Sequence, residues 1–347
     1  MLASPAMSAM PPMGRPDRVR AAARREAVDR PPYAFWRHFP TADRSPAALA
    51  QATLRFHDRY GSDVLVVAPP AGYAAQAWGC VEEDPPRPDG TRPCARCAVA
   101  RPEDWGAVRP LDPAGAAGYA EVVETLVRVG FDRRIGDAPV LVVLPAPSTV
   151  AARLGGGRLA AHLREWPGRV GDALRALVET QIRFAELCLA EGLAGVLYAV
   201  HVPAEPALGP STYAEMLEPH DHAVLTALNA RSPLRVVDVV GPVPFALVAA
   251  WSADVVAWAP SPGLPTLAEG HARLGGAALG GLDARGLRHE PPAAAVQAAQ
   301  AAVAATSGRG LVVGPTGPVW PDTPDEVLAA VVRALGGSTR PILGISR

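Results

Sequence analysis

The side chains of this chain that could do chemistry collect at the ends of its β-branched runs. Arg37 and His38 follow the run Tyr33–Trp36, His201 follows Gly195–Val200, Asp238 lies near the end of Arg235–Val240, and Asp283 follows Ala277–Leu282. A guanidinium grips a carboxylate through a bidentate fork, so Arg37, His38 and Asp283 are expected to hold an anionic small-molecule substrate. Histidines and carboxylates at the same mouth can move protons, which makes His201 and Asp238 the candidate catalytic pair. Structural uses compete with these roles. Arg37 could instead pair with Asp238 or Asp283, and either histidine could be a packing residue.

Sulfur offers a second kind of chemistry. Cys94-x-x-Cys97, with Cys80 upstream, has part of a zinc pattern. Tetrahedral zinc takes four ligands, and the fourth would have to come from a distant residue such as His57, so no metal is assigned and free thiols are expected. Other chemistries are excluded. All 33 basic residues are Arg, so no side-chain Schiff base, pyridoxal phosphate aldimine or Walker-A lysine can form. A GxSxG elbow, an HExxH helix and a GxGxxG turn are also missing.

Placing these groups requires a large core, and the composition supplies one. Of 347 residues 49% are hydrophobic and 19% charged, and 34 acidic against 33 basic groups leave a net charge of -1. This is the reverse of a disordered chain, and it lacks the positive field that nucleic-acid binding needs. Four cysteines are too few for a disulfide scaffold, and no apolar run reaches membrane-spanning length, so a cytoplasmic protein is expected. The Met-, Pro- and Ala-rich residues 1–15 lack a signal-peptide pattern and read as a loose tail. Residues 16–337 read as one domain and 338–347 as a second tail.

The elements that carry the candidate residues follow a rhythm. Eight short runs stand out: Tyr33–Trp36, Val64–Ala68, Val140–Leu144, Gly195–Val200, Arg235–Val240, Asp254–Trp258, Ala277–Leu282 and Gly310–Gly314. Segments with apolar residues three and four apart separate them, clearest at Pro46–Tyr60, Gly115–Val129, Val170–Glu191 and Ser211–Ala230. Strands apolar on both faces and separated by helices predict an α/β parallel sheet, and eight of them fit a closed (β/α)8 TIM barrel better than an open doubly wound sheet. The active site of such a barrel lies at the C-terminal ends of its strands. Asp63 begins the second run, and is therefore assigned to stability. Between Pro69 and Pro113 the helical period fails, and Asp89-Gly90 predicts a lid-like hairpin between strand 2 and helix 2.

Several strings resemble the uroporphyrinogen decarboxylase superfamily, which includes corrinoid-linked methyltransferases. They are Val28-Asp29-Arg30-Pro31-Pro32 with Trp36-Arg37-His38, Tyr60-Gly61-Ser62-Asp63, Trp78-Gly79, Leu208-Gly209-Pro210-Ser211-Thr212-Tyr213, Gly280-Gly281-Leu282-Asp283 and Pro321-Asp322-Thr323-Pro324. The resemblance runs from about Arg18 to Leu335 and implies a (β/α)8 barrel. It also implies decarboxylation of a carboxylated tetrapyrrole without a cofactor, with arginines on the acid side chains and an aspartate stabilising the cationic pyrrole. The family's binding arginine matches Arg37. Its catalytic aspartate falls at Pro70, its tyrosine near Arg153, its serine near Pro203 and its late histidine near Gly317, so most catalytic positions are substituted. The methyltransferases bind zinc through a His-x-Cys on strand five, where this chain reads Val237-Asp238-Val239. The expected function is a decarboxylase-like enzyme that acts on a carboxylated substrate and pairs as a homodimer. The alternatives are a methyltransferase-like protein with a corrinoid partner protein, and a catalytically inactive barrel that binds a tetrapyrrole or corrinoid.

Overall fold

Seven parallel strands, nearly all of their residues buried, form the central sheet of the computed structural model, which describes residues 10–203, 208–260 and 263–340. The strands are β1 (Leu65–Val67), β4 (Val140–Pro145), β5 (Gly195–His201), β6 (Leu234–Val240), β7 (Val255–Trp258), β8 (Ala277–Leu282) and β9 (Leu311–Pro315), paired in that order. A separate antiparallel hairpin, β2 (Val81–Glu82) with β3 (Cys94–Arg96), fills part of the long connection after β1. Valine and leucine dominate the sheet because both of its faces are covered, one by the barrel interior and one by helices. The result is an α/β, TIM-barrel-like curl.

The first of the eight expected runs is not a regular strand. Tyr33 makes a single parallel bridge to Val313, the Ala34 N–H donates to Val313 O at 3.0 Å, and the Val313 N–H donates to Pro32 O at 2.8 Å. On the other side the Asp63 N–H donates to Tyr33 O at 2.8 Å. The segment thus lies between β9 and the residues leading into β1, at the place of an eighth strand. Its sequence prevents a longer ladder. Pro31 and Pro32 have no N–H to give, and the Phe35 N–H goes to Ser62 Oγ at 3.2 Å rather than to a neighbouring strand.

Side chains alternate across each strand, and this sorts the core into layers. Ala34, Trp36, Val66, Leu141, Leu197, Val236, Val255, Leu279 and Val312 pack together inside the curl. Val19, from the helix Arg15–Ala23, joins them at the N-terminal end. Tyr33, Phe35, Leu282 and Val313 face the other way, against the helices Pro46–Tyr60, Pro292–Ala305 and Asp325–Ala334.

The N-terminal end is tied by charge. The fully buried Asp63 carboxylate accepts from Arg18 Nη1 at 2.6 Å, from both terminal nitrogens of Arg30 at 2.8 and 2.9 Å, and from the Tyr33 N–H at 2.9 Å. Two guanidiniums and a backbone donor satisfy a carboxylate that would be costly to bury alone.

Of the two expected tails, residues 1–9 and 341–347 lie outside the described residues, and the first helix already begins at Arg15. Arg340 is docked on the helix Pro46–Tyr60, its Nη1 on Asp58 Oδ1 at 2.6 Å and its N–H on Arg59 O at 3.1 Å. No helix of the described residues is long and apolar enough to cross a membrane.

His57, on the inner side of the helix Pro46–Tyr60, is buried, and burial, helped by the Arg15 charge, pushes its imidazole down to about 4. The unfolded chain therefore takes up a proton near pH 6.5 that the folded chain refuses, and stability falls as the pH drops from about 6.5 to about 4. The expected loss is about 3 kcal/mol, and His57→Leu should flatten that slope. Urea denaturation of the two proteins across this pH range checks it, and equal slopes would contradict it.

Candidate functional site

A cavity of about 520 Å³ opens at the C-terminal ends of β1, β4 and β5. Pro69, Pro70, Val143, Pro145 and Ala199 give it an apolar base. The helix Pro147–Gly155 that follows β4 lines one side with Thr149, Ala152 and Arg153, continued by Gly156 in the next turn. That spacing of three, four and seven residues is one helical face. The buried Asp221 fixes this helix, accepting from the Ser148 N–H at 2.9 Å, from Ser148 Oγ at 2.5 Å and from Tyr213 Oη at 2.9 Å.

The β2–β3 hairpin supplies another side, through Arg87, Arg92, Cys94 and Cys97. One buried arginine holds it there. Arg92 donates from Nη1 to Asp43 Oδ2 at 2.7 Å, from Nε to Asp84 Oδ1 at 2.8 Å, and from Nη2 to Pro40 O at 2.7 Å. The turn closes at Asp89-Gly90, where Gly90 takes φ +85° and a Cβ would lie 2.9 Å from the Cβ of His38. Glycine is required there for both reasons.

The cavity has an excess of positive charge. Among the described residues Arg87, Arg92, Arg153 and Arg158 line it, and no Asp or Glu does. Arg92 is neutralised by its two aspartates. Among the described residues Arg153 has only Glu82, at 3.9 Å, and Arg87 and Arg158 form no ion pair. Burial lowers the Arg153 pKa, with Glu82 opposing and Arg87 adding repulsion. The largely buried Arg153, with one distant carboxylate among the described residues, favours an anion that supplies the missing acceptors, and the exposed Arg87 and Arg158 add positive charge at the rim.

Two histidines reach the cavity with different partners. His38 is pushed down to about 4 by burial and by the Arg153 charge, so it is neutral at pH 7. Its Nδ1–H donates to Pro69 O at 3.2 Å, which leaves the Nε2 lone pair as an acceptor. His201 is held from behind. Its Nε2–H donates to Asp238 Oδ2 at 2.9 Å, and its backbone N–H donates to Thr149 Oγ1 at 2.8 Å. Asp238 is buried inside the curl, and its Oδ1 has no partner among the described residues. A buried carboxylate behind a cavity-facing imidazole fixes the orientation and tautomer of the ring, an arrangement suited to giving and taking a proton.

The uroporphyrinogen decarboxylase (URO-D) family matches this chain over residues 15–337. The protein belongs to that family. Among solved structures, a methyltransferase from Methanosarcina mazei is similar, with a TM-score of 0.80 and 18% identity over 93% of this chain and 98% of that one. At this identity the likeness is one of fold. A B12-independent methionine synthase from Shewanella sp. W3-18-1, in complex with selenomethionine, has a TM-score of 0.41 and 13% identity over 61% of this chain and 65% of that one. No curated protein sequence matches this chain.

The site of this URO-D family member departs from the expected residues in two places. Arg37 is not at the cavity. It shares the parity of Tyr33 and Phe35, so it points outward, where its guanidinium stacks on Phe39 and Phe56 at 5.2 and 5.0 Å and Nη1 donates to Pro321 O at 3.2 Å. His38, one residue on, points inward. Asp283 is exposed, and its Oδ1 accepts the Arg285 N–H at 3.0 Å in the turn after β8, away from the cavity. His201 and Asp238 are brought together as a pair, which their separate runs did not reveal.

Arg87, Arg92, Arg153 and Arg158 were not among the expected site residues. The signal for Arg153 was available in the spacing Thr149, Ala152, Arg153, Gly156 on the helix leaving a strand end. That for Arg87 and Arg92 was their place on either side of the Asp89-Gly90 turn.

Removing Arg92 would leave the buried Asp43 carboxylate without its cation. Arg92→Ala is expected to cost about 3–5 kcal/mol of unfolding free energy, and adding Asp43→Ala should recover part of it. A urea double-mutant cycle measures this, and strictly additive losses would contradict the clamp.

Proposed function

We propose that this protein is a decarboxylase-like enzyme acting on a carboxylated small molecule, with a porphyrinogen as the first candidate. The observation that carries the reading is the cavity in which, among the described residues, Arg87 and Arg158 form no ion pair and Arg153 has only Glu82 at 3.9 Å, while His201 stands against Asp238. Family membership supports the chemistry, and the hairpin acts as a lid over the bound ligand. The anchor role expected of Arg37 passes to these three arginines, and the neutral His38 contributes a hydrogen-bond acceptor instead of a charge.

Decarboxylation breaks the bond to the leaving carboxylate, releases carbon dioxide and leaves the electron pair on carbon, which must take a proton. In this reading His201 gives it. The Asp238 carboxylate holds the Nε2–H, so in the doubly protonated ring the proton on Nδ1 is the one available to the substrate. No cofactor is invoked. Where the family pattern puts a cation-stabilising aspartate, Pro70 lines the cavity, so in this reading the negative charge left on carbon is met by the protonated His201, with Asp238 neutralising the ring from behind. The alternative of methyl transfer with a corrinoid partner draws on the fold it shares with the M. mazei methyltransferase. The His-x-Cys that such enzymes would have at Val237-Asp238-Val239 on β6 is absent here, and Asp238 is buried behind His201.

The test is anaerobic incubation with uroporphyrinogen III, with product acids counted after oxidation. His201→Ala is expected to lower kcat by about 10²–10⁴-fold with little change in KM. Arg153→Ala is expected to raise KM by about 10–100-fold, the worth of a charged hydrogen bond at about 1.5–3 kcal/mol. Failure of the wild-type protein to bind or turn over any porphyrinogen would overturn the proposal, as would unchanged constants in both variants.

A further inference from the structure

β2 turns its polar residue inward. Val81 is 43% exposed, whereas the Glu82 side chain is only 8% exposed. Hydrophobicity favours the opposite arrangement, and a buried carboxylate is costly unless it is well paired. Glu82 is poorly paired. Its Oε2 accepts from Nε2 of Gln76 at 3.2 Å, in the short helix Tyr73–Gln76 that follows β1, but its Oε1 accepts no hydrogen bond among the described residues. Space is nevertheless kept for it, because a Cβ at Gly72 would overlap Oε1. The position is shaped for a carboxylate that its local hydrogen bonds do not satisfy.

The cation it faces is Arg153. Arg153 Nη1 lies 3.9 Å from Glu82 Oε1, close enough for charge attraction and too far for a hydrogen bond. Arg153 lines the cavity and Glu82 does not, so the carboxylate stands behind the guanidinium. Two further charged groups act on Glu82: Arg92, on the hairpin itself, and Asp43, just beyond the first run. These two are paired with each other at 2.7 Å. Burial raises the Glu82 pKa, and the Arg153 charge is the largest influence against that rise, ahead of Arg92, while Asp43 adds to it. The adjacent Gly72 N–H favours the charged form without completing a hydrogen bond to Oε1. The charge of Glu82 therefore depends on where Arg153 directs its own.

We propose that Glu82 is a positioning residue of the anion site: its carboxylate competes with the ligand for Arg153, and it takes up a proton when a ligand carboxylate captures that guanidinium. The ligand forms the hydrogen-bonded pair that Glu82 lacks, and its charge also repels the carboxylate left behind. The proton comes from solvent and goes to the Glu82 carboxylate. One carboxylate thus enters with one proton, and the charge around Arg153 is unchanged. The sign follows by linkage. Below the window in which Glu82 titrates, its carboxyl is already neutral and Arg153 is free for the ligand; above it, the ligand must bind against an ionised Glu82, so affinity falls as the pH rises. This inference rests on the anion-binding part of the proposed function, and not on decarboxylation or on a porphyrinogen.

The test counts protons taken up on binding by the full chain. Calorimetric titrations with uroporphyrin I and with benzene-1,3,5-tricarboxylate are run in Tris and in HEPES between about pH 6 and pH 8, and the difference in heat between the buffers gives the count. The wild type is expected to take up as much as about one proton per ligand, with affinity falling as the pH rises. In Glu82→Gln the uptake is expected to vanish and the affinity at the upper end of the range to rise at least about fivefold, the lower end of ordinary coupling between sites. A merely structural glutamate would instead give weaker binding in that variant at every pH. Uptake is expected to persist in His201→Gln, and His38, pushed down to about 4, titrates below the range. Uptake with the tricarboxylate but no binding of uroporphyrin would support the proposal and remove the porphyrinogen. Binding of neither anion, binding without uptake in the wild type, or persistent uptake or weaker binding in Glu82→Gln would overturn it. Should Glu82→Gln fail to fold by circular dichroism, the wild-type and His201→Gln counts decide, because among the described residues no carboxylate other than Glu82 pairs with Arg153.

Discussion

The buried guanidinium of Arg92 is the interaction on which the site depends. The strand ends at the mouth of the curl are proline-rich, with Pro69, Pro70 and Pro145 at the cavity, and they offer few polar side chains of their own. Arg87, Cys94 and Cys97 come to the cavity on a hairpin whose ladder has only two paired positions. Such a ladder is too short to hold a position by itself. Arg92 joins it to Pro40 and Asp43, just beyond the first run, and to Asp84 within the hairpin. The carbonyl and two carboxylates saturate the guanidinium, so its charge is used structurally and not offered to a ligand.

The contrast with the other arginines gives the site its character. Arg153 has a single carboxylate at the edge of ion-pair range, and its charge is the main reason, after burial, that His38 is neutral. One cation thus adds positive charge to the cavity and, second to burial, lowers the pKa of a neighbouring imidazole. His201 is treated differently because Asp238 lies directly behind it. Two histidines at the same mouth are therefore held differently, His38 on the Pro69 carbonyl and His201 on the Asp238 carboxylate. Within the URO-D family this chain builds the charge of its cavity from its own residues. Pro70 stands where the family pattern has a carboxylate, and Arg153 stands near the position of a tyrosine.

Much of the fold was legible because burial on both sheet faces writes itself into the sequence as valine- and leucine-rich runs. Seven of the eight runs became paired strands. The eighth position was legible only as a location, since Pro31 and Pro32 remove the donors a full strand would need. Candidate residues fared according to strand parity. His38, His201 and Asp238 share the parity of inward-facing Ala34, Leu197 and Val236 respectively, whereas Arg37 shares that of outward-facing Phe35. Counting residues along the first run separates His38 from Arg37. Asp283 looked like a strand-end ligand, but a chain turning immediately after β8 uses the carboxylate to cap its own backbone. The hairpin arginines were the least legible, because their position depends on contacts with residues some fifty positions away, such as the Arg92 pair with Asp43. No local period records such a contact.

The most direct measurement is a crystal structure of the protein grown with a carboxylated porphyrin. The account predicts the ligand beneath the hairpin, with carboxylates within hydrogen-bonding distance of Arg153 and of Arg87 or Arg158, and with His201 facing the ring system. A porphyrin bound elsewhere, or one seated in the cavity with its carboxylates turned to solvent and those guanidiniums unengaged, would contradict it.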